Sequence, residues 1–183
     1  MYCHPDWHDM TSKPHDLETM QTAWKNIYSK TQHKGLKYKI SFTGGEVTAN
    51  KNFLPLTQWL REQYPDIDMI IITTNGSASL NYYTKLAQYV EAMSFSTHSE
   101  FMDEADFFTK ADALNQIMIR PSKSFHVNIM DEHWNQDRIA IYQQWLDEKN
   151  ISHSINRINY DFRTRDEILS QGKRNFEILR QPS

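Results

Sequence analysis

Apolar and polar residues alternate along this chain with two different periods. Leu17, Met20, Ala23, Trp24, Ile27 and Tyr28 recur at helical spacing, and Asp16 stands ready to cap them just after Pro14. The pattern predicts a helix over 17–32. A strand-like run follows over 37–43. Phe53, Leu56, Trp59 and Leu60 share one face of a helix predicted over 52–63, which Pro65 brings to a stop. A strand at 68–74 closes in Asn75-Gly76, a turn signal. Further helices are predicted over 79–91, 105–118 and 134–149. Further strands are predicted over 92–98, 124–130 and 152–158. A charged segment at 163–179 reads as a C-terminal helical tail with a solvated face.

Strand and helix thus alternate five times, the βα signature of an α/β fold. Right-handed crossovers then require a parallel sheet. The chain opens with a loop and a helix, so one strand before it is expected to be missing. Restoring it gives six units: a partial (β/α)6-type TIM-like barrel with parallel strands, its first strand missing. The later strands are polar on one parity. Ser94, Ser96 and His98 alternate with Phe95, and His126, Asn128 and Met130 alternate with Phe125, Val127 and Ile129. Parallel sheets covered on both faces read as nearly continuous apolar runs. The alternation therefore points either to a barrel interior that holds a polar ligand or to a sheet with one wet face.

Composition narrows the class. The chain has 183 residues, 39% apolar and 23% charged, and a formal net charge of −3. One domain over 1–183 is the expectation, with a mean hydropathy of −0.72. Neither nucleic acid nor an anionic membrane has an electrostatic claim on it. No apolar run approaches a membrane span, and no signal peptide is visible at the start. A cytoplasmic protein is expected. Cys3 is the only cysteine, so no internal disulfide and no all-cysteine metal site can form within one chain.

The chemistry concentrates in three places: Tyr2-Cys3, Thr43-Gly44-Gly45-Glu46 and Thr73-Thr74-Asn75-Gly76. The paired glycines end a strand and let a backbone approach a ligand. The carboxylate after them can grip an amino group. Asn75-Gly76 reads equally as a pocket wall or a plain turn. His4, Asp6, His8 and Asp9 suggest a metal site at first sight, but Pro5 argues against the helix that would put both histidines on one face.

Together and in this order, these motifs resemble the core of the radical S-adenosylmethionine (radical SAM) enzymes. In that family three cysteines spaced C-x3-C-x2-C hold a [4Fe–4S] cluster, and an aromatic residue precedes the third. The resemblance makes Tyr2-Cys3 that pair and Cys3 a cluster ligand, so the other two cysteines would lie upstream of Met1. It implies that Thr43, Gly44, Gly45 and Glu46 bind the methionyl amino group of SAM. Thr74 and Asn75 would line the pocket, Ser96 would meet the ribose or carboxylate, and Asn128 would belong to the same pocket. His98 and Glu100 would stand near substrate. The implied cofactors are the [4Fe–4S] cluster and SAM. An electron donor such as flavodoxin or ferredoxin would reduce the cluster, and the resulting 5′-deoxyadenosyl radical would abstract hydrogen from an unknown substrate (peptide, nucleotide or small metabolite).

The chain departs from the family by lacking two of the three ligands and any cysteines for auxiliary clusters. The competing expectation is a cluster-free module of the same fold that binds a nucleoside-like ligand or a protein. A third, an unrelated βα enzyme that binds phosphate at helix N-termini, lacks a glycine-rich phosphate loop.

Overall fold

The computed structural model describes residues 15–99, 102–131 and 135–158. Nearly all of these belong to one compact unit, Pro14–Asn156. A second unit, Met1–Lys13 with Arg157–Ser183, lies almost wholly outside the described residues. The tail expected at 163–179 and the Tyr2-Cys3 motif fall there.

Five helices and five strands alternate: α1 (Leu17–Thr31), β1 (Tyr38–Phe42), α2 (Phe53–Gln63), β2 (Ile67–Thr74), α3 (Leu80–Leu86), β3 (Ala92–Ser96), α4 (Glu104–Met118), β4 (Ser124–Asp131), α5 (Gln136–Glu148) and β5 (His153–Arg157). Asp16 caps α1 as expected, its carboxylate accepting from the Thr19 N–H at 2.7 Å. Ser79 and Asp103 cap α3 and α4 in the same way. Each satisfies a backbone donor that the first helical turn would leave without a partner.

The strands form one parallel sheet in the order β1-β2-β3-β4-β5. Sequential order has a consequence. When every crossover is right-handed and every step goes to the next place, all the helices fall on one face. That arrangement is consistent with a partial α/β barrel-like fold. The helix-covered face carries the core. Ile70, Ile72, Met93, Phe95, Val127 and Ile129 are all fully buried. They pack against Phe53, Leu56 and Leu60 of α2, Tyr83 and Leu86 of α3, Phe107 and Leu114 of α4, and Tyr142 and Leu146 of α5. Each such side chain contributes about 1.5–3 kcal/mol of burial. The opposite parity, with Thr73, Ser94, His126 and Asn128, is only part-buried. Among the described residues no helix is long and apolar enough to cross a membrane.

One expectation needs correction. The helix predicted over 79–91 ends at Leu86. After it the backbone tightens into i→i−3 bonds, Gln88 N–H to Lys85 C=O and Tyr89 N–H to Leu86 C=O. Lys123 then draws its ammonium onto the carbonyls of Ala87 and Val90 at 2.6 and 2.7 Å. A side chain from 36 residues away thus stops the helix, which lets Val90 turn fully into the core. In α1 no residue is fully buried, and Ile27 is 53% exposed. Trp24 and Tyr28 instead form an aromatic cover with Tyr38 and Tyr64.

Candidate functional site

The candidate residues gather where strands end. The register pairs Phe42 with Ile72, Thr74 with Phe95 and Ser96 with Asn128. Thr43-Gly44-Gly45-Glu46, Thr74-Asn75, Ser96 and Asn128 therefore lie at or near the carboxyl ends of four neighbouring strands. In open α/β sheets and barrels that edge is where ligands bind.

Gly44 and Gly45 have φ values of +83° and +41°, in the left-handed region that favours glycine. A Cβ at either would meet nothing within 4 Å. Among the described residues their glycine character thus answers to the turn alone, and no described atom fills the space above either. Gly76 differs. Its φ is +76°, and a Cβ there would stand 3.1 Å from both Phe95 and Phe107. It is a packing glycine as well as a turn glycine.

Glu46 is the centre of the arrangement. One carboxylate oxygen accepts from the Thr48 N–H at 2.9 Å, the Thr48 hydroxyl at 2.6 Å and the Thr74 hydroxyl at 2.7 Å. The other accepts from the Asn75 N–H at 2.7 Å. The side chain so joins the turn after β1 to the end of β2. Thr74 has one hydroxyl proton and gives it to Glu46. The Tyr83 hydroxyl, 2.9 Å away, must therefore donate to Thr74, while it accepts from the Ala78 N–H. Burial pushes the Tyr83 phenol up, so it stays protonated and able to donate. Below the turn, Lys110 is nearly fully buried. Its ammonium donates to the Gly76 and Ala78 carbonyls and pairs with Asp106.

One property of Glu46 stands out. All of its donors are neutral, and no Lys, Arg or His among the described residues stands within ion-pair range of it. A half-buried carboxylate usually has a cationic partner. With four donors and about four lone-pair directions unevenly used, the oxygen facing Asn75 keeps room for another N–H.

The structure brings Gly44, Gly45 and Glu46 together with Thr74 and Asn75. It brings Ser96 to Asn128 separately, through a long 3.4 Å bond. Thr43 is exposed. At Asn75-Gly76 the structure shows the turn. The Asn75 side chain closes the turn by accepting from the Ser77 N–H, and its backbone serves Glu46. Burial holds the His98 imidazole below its ordinary pKa. Tyr2, Cys3, His4, Asp6, His8, Asp9 and Glu100 lie outside the described residues. Among the described residues no cluster of three or more His, Cys, Asp or Glu is placed to hold a metal ion.

Reading motifs alone missed His126. Its ring nitrogens lie 2.9 Å from Ser152 Oγ and 3.0 Å from Ser154 Oγ. The available signal was register: His126 alternates with apolar residues on one strand, and Ser152 and Ser154 keep the same alternation on the next.

No protein-family model matches this chain, and no curated protein matches it, so the site stands on its own geometry.

Proposed function

We propose that this chain is the core of a radical SAM enzyme and that Gly44-Gly45-Glu46 holds the methionyl ammonium of SAM. The observation that carries the reading is Glu46, a fixed carboxylate with neutral donors around it and no cation beside it among the described residues, next to two glycines whose Cβ positions meet no described atom within 4 Å. A primary ammonium supplies the missing charge and an N–H for the remaining lone pair. Thr74 and Asn75 orient the carboxylate. Ser96 and Asn128 face the sugar or carboxylate end of the ligand. The reading adds a strand at the outer edge of β1, which completes the six-unit barrel wall. It also implies a cytoplasmic setting, a flavodoxin or ferredoxin as electron donor and a substrate of unknown class.

The neutral donors around Glu46 and the glycine turn beside it support SAM as the ligand. The [4Fe–4S] cluster does not fit this chain by itself, because a single cysteine cannot supply the ligands such a cluster takes. In the proposed reading the remaining thiolates are cysteines other than that of this sequence. When bound, the cluster would supply the electron that cleaves SAM. What the described residues do is bind and orient SAM. The single cysteine also favours a second reading: a cluster-free module that binds SAM or a related nucleoside without cleaving it.

The deciding experiment is anaerobic reconstitution, with iron, sulfide and reductant, of a polypeptide extended upstream to include both further cysteines. Formation of 5′-deoxyadenosine from SAM is the expected result. SAM binding without any 5′-deoxyadenosine selects the cluster-free module. No SAM binding removes both readings.

A further inference from the structure

The hydrogen bonds around His126 run in one direction. Asn128 Oδ1 accepts from Asn156 Nδ2 at 3.0 Å and from the Ser154 hydroxyl at 3.4 Å. Ser154 has a single proton; where it gives that proton to Asn128, it accepts from His126. The ring nitrogen beside it, Nε2, must then carry the imidazole proton. Burial, and next the neighbouring His153, hold the His126 pKa below its ordinary value, so the ring carries one proton near neutral pH. Nδ1 is left as an acceptor for the Ser152 hydroxyl. On the far side, Asn128 Nδ2 donates to Ser96 Oγ at 3.4 Å. The chain reads Ser152 to His126 to Ser154 to Asn128 to Ser96, crossing from the edge of β5 to the end of β3.

This direction decides what the site offers a ligand. The Asn128 carbonyl already accepts twice. Its second amide proton and the Ser96 hydroxyl proton have no partner among the described residues. Both are donors. The open face of β2–β5 carries no Asp, Glu, Lys or Arg, so nothing charged competes for them.

We infer that His126 is a positioning residue: as the Nε2–H tautomer it fixes the polarity of Asn128 and Ser96, which together present donors to an acceptor oxygen of the bound ligand. The choice of SAM as the ligand rests on the function proposed above. The tautomer and the direction of the chain do not.

The test has two arms on the full chain. In the first, long-range 1H–15N NMR assigns the His126 tautomer at pH 7.5. A proton on Nε2 is expected, whereas a proton on Nδ1 or a doubly protonated ring overturns the inference. In the second, SAM is titrated calorimetrically into the wild type and into His126→Ala, His126→Gln and Asn128→Asp. Asn128→Asp turns a donor into an acceptor and is expected to weaken binding about tenfold or more. His126→Ala is expected to weaken it several-fold. His126→Gln keeps an N–H in reach of Ser154 and is expected to restore most of the affinity, which a merely structural role would not produce. Wild-type affinity in both His126→Ala and Asn128→Asp overturns the inference. If the wild type binds no SAM, the proposed function fails, and the tautomer arm still decides the role of His126.

Discussion

The two ends of the sheet use the same device to different effect. At the amino end, Arg61 from α2 donates to the Tyr89 and Ile67 carbonyls at 2.9 and 2.6 Å and pairs with Glu91. Glu91 accepts in turn from the Ile70 N–H at 2.8 Å. Beside them Lys123 stitches two carbonyls. Here a charge meets its opposite or a row of backbone oxygens, and the join is electrostatically closed. At the carboxyl end, Glu46 makes a similar join between two loops, but every donor is neutral. Among the described residues no cation closes that join. Charge closed on itself holds the fold, whereas the proposed ammonium site uses charge left open, and the two lie at opposite ends of the same strands.

Substitutions can break this contrast. The largest effect is expected from Glu91→Ala, which leaves the Arg61 guanidinium and the Ile70 N–H without their acceptor. A loss of about 3 kcal/mol is expected in urea unfolding, with SAM affinity unchanged in the residual folded protein. A loss below about 0.5 kcal/mol would mean the amino end is not the closed join described. Gly76→Ala comes next, at about 2–3 kcal/mol, because strain at φ +76° adds to overlap with Phe95 and Phe107. Gly44→Ala, with the same backbone strain and no overlap, should cost about 1–2 kcal/mol by the same measurement. Equal costs for the two would contradict the open space assigned above Gly44.

The smallest effect concerns pH. Burial lowers the pKa of both His98 and His126. The unfolded chain therefore takes up protons first, and its side of the equilibrium gains as pH falls below the ordinary imidazole value. Stability should be fully present above that value and decline from about pH 7 towards pH 5.5. Thermal unfolding of the wild type and of His126→Asn checks this. The variant should show a shallower decline, and an identical slope would remove His126 from the account.

Much of the architecture was legible because it rests on local pattern. Alternation placed all five strands within two residues, and Asp16 announced the start of α1. What local pattern could not show was any feature set by a distant side chain. Lys123 ends α3 from the next βα unit, so the helical period of 79–91 overran. Ile27 keeps the α1 spacing yet lies exposed, because Tyr38 of β1 and Tyr64, just after α2, take the contact with Trp24. At the site, Gly44-Gly45-Glu46 and Thr74-Asn75 were legible as motifs. The bond that joins them was not, since neither motif names its partner. His126 was invisible as a site residue because its role depends on register with serines that lie in no motif.

The most direct test of the central claim is the affinity of Glu46→Gln for SAM, measured by calorimetry beside the wild type. Glutamine keeps the size and one acceptor of glutamate but removes the charge. If Glu46 is the open join, the wild type binds SAM and the variant binds it at least about tenfold more weakly, with little change in urea stability relative to Glu91→Ala. Equal affinities in the two proteins would show that the carboxylate does not meet the ammonium and would contradict the account.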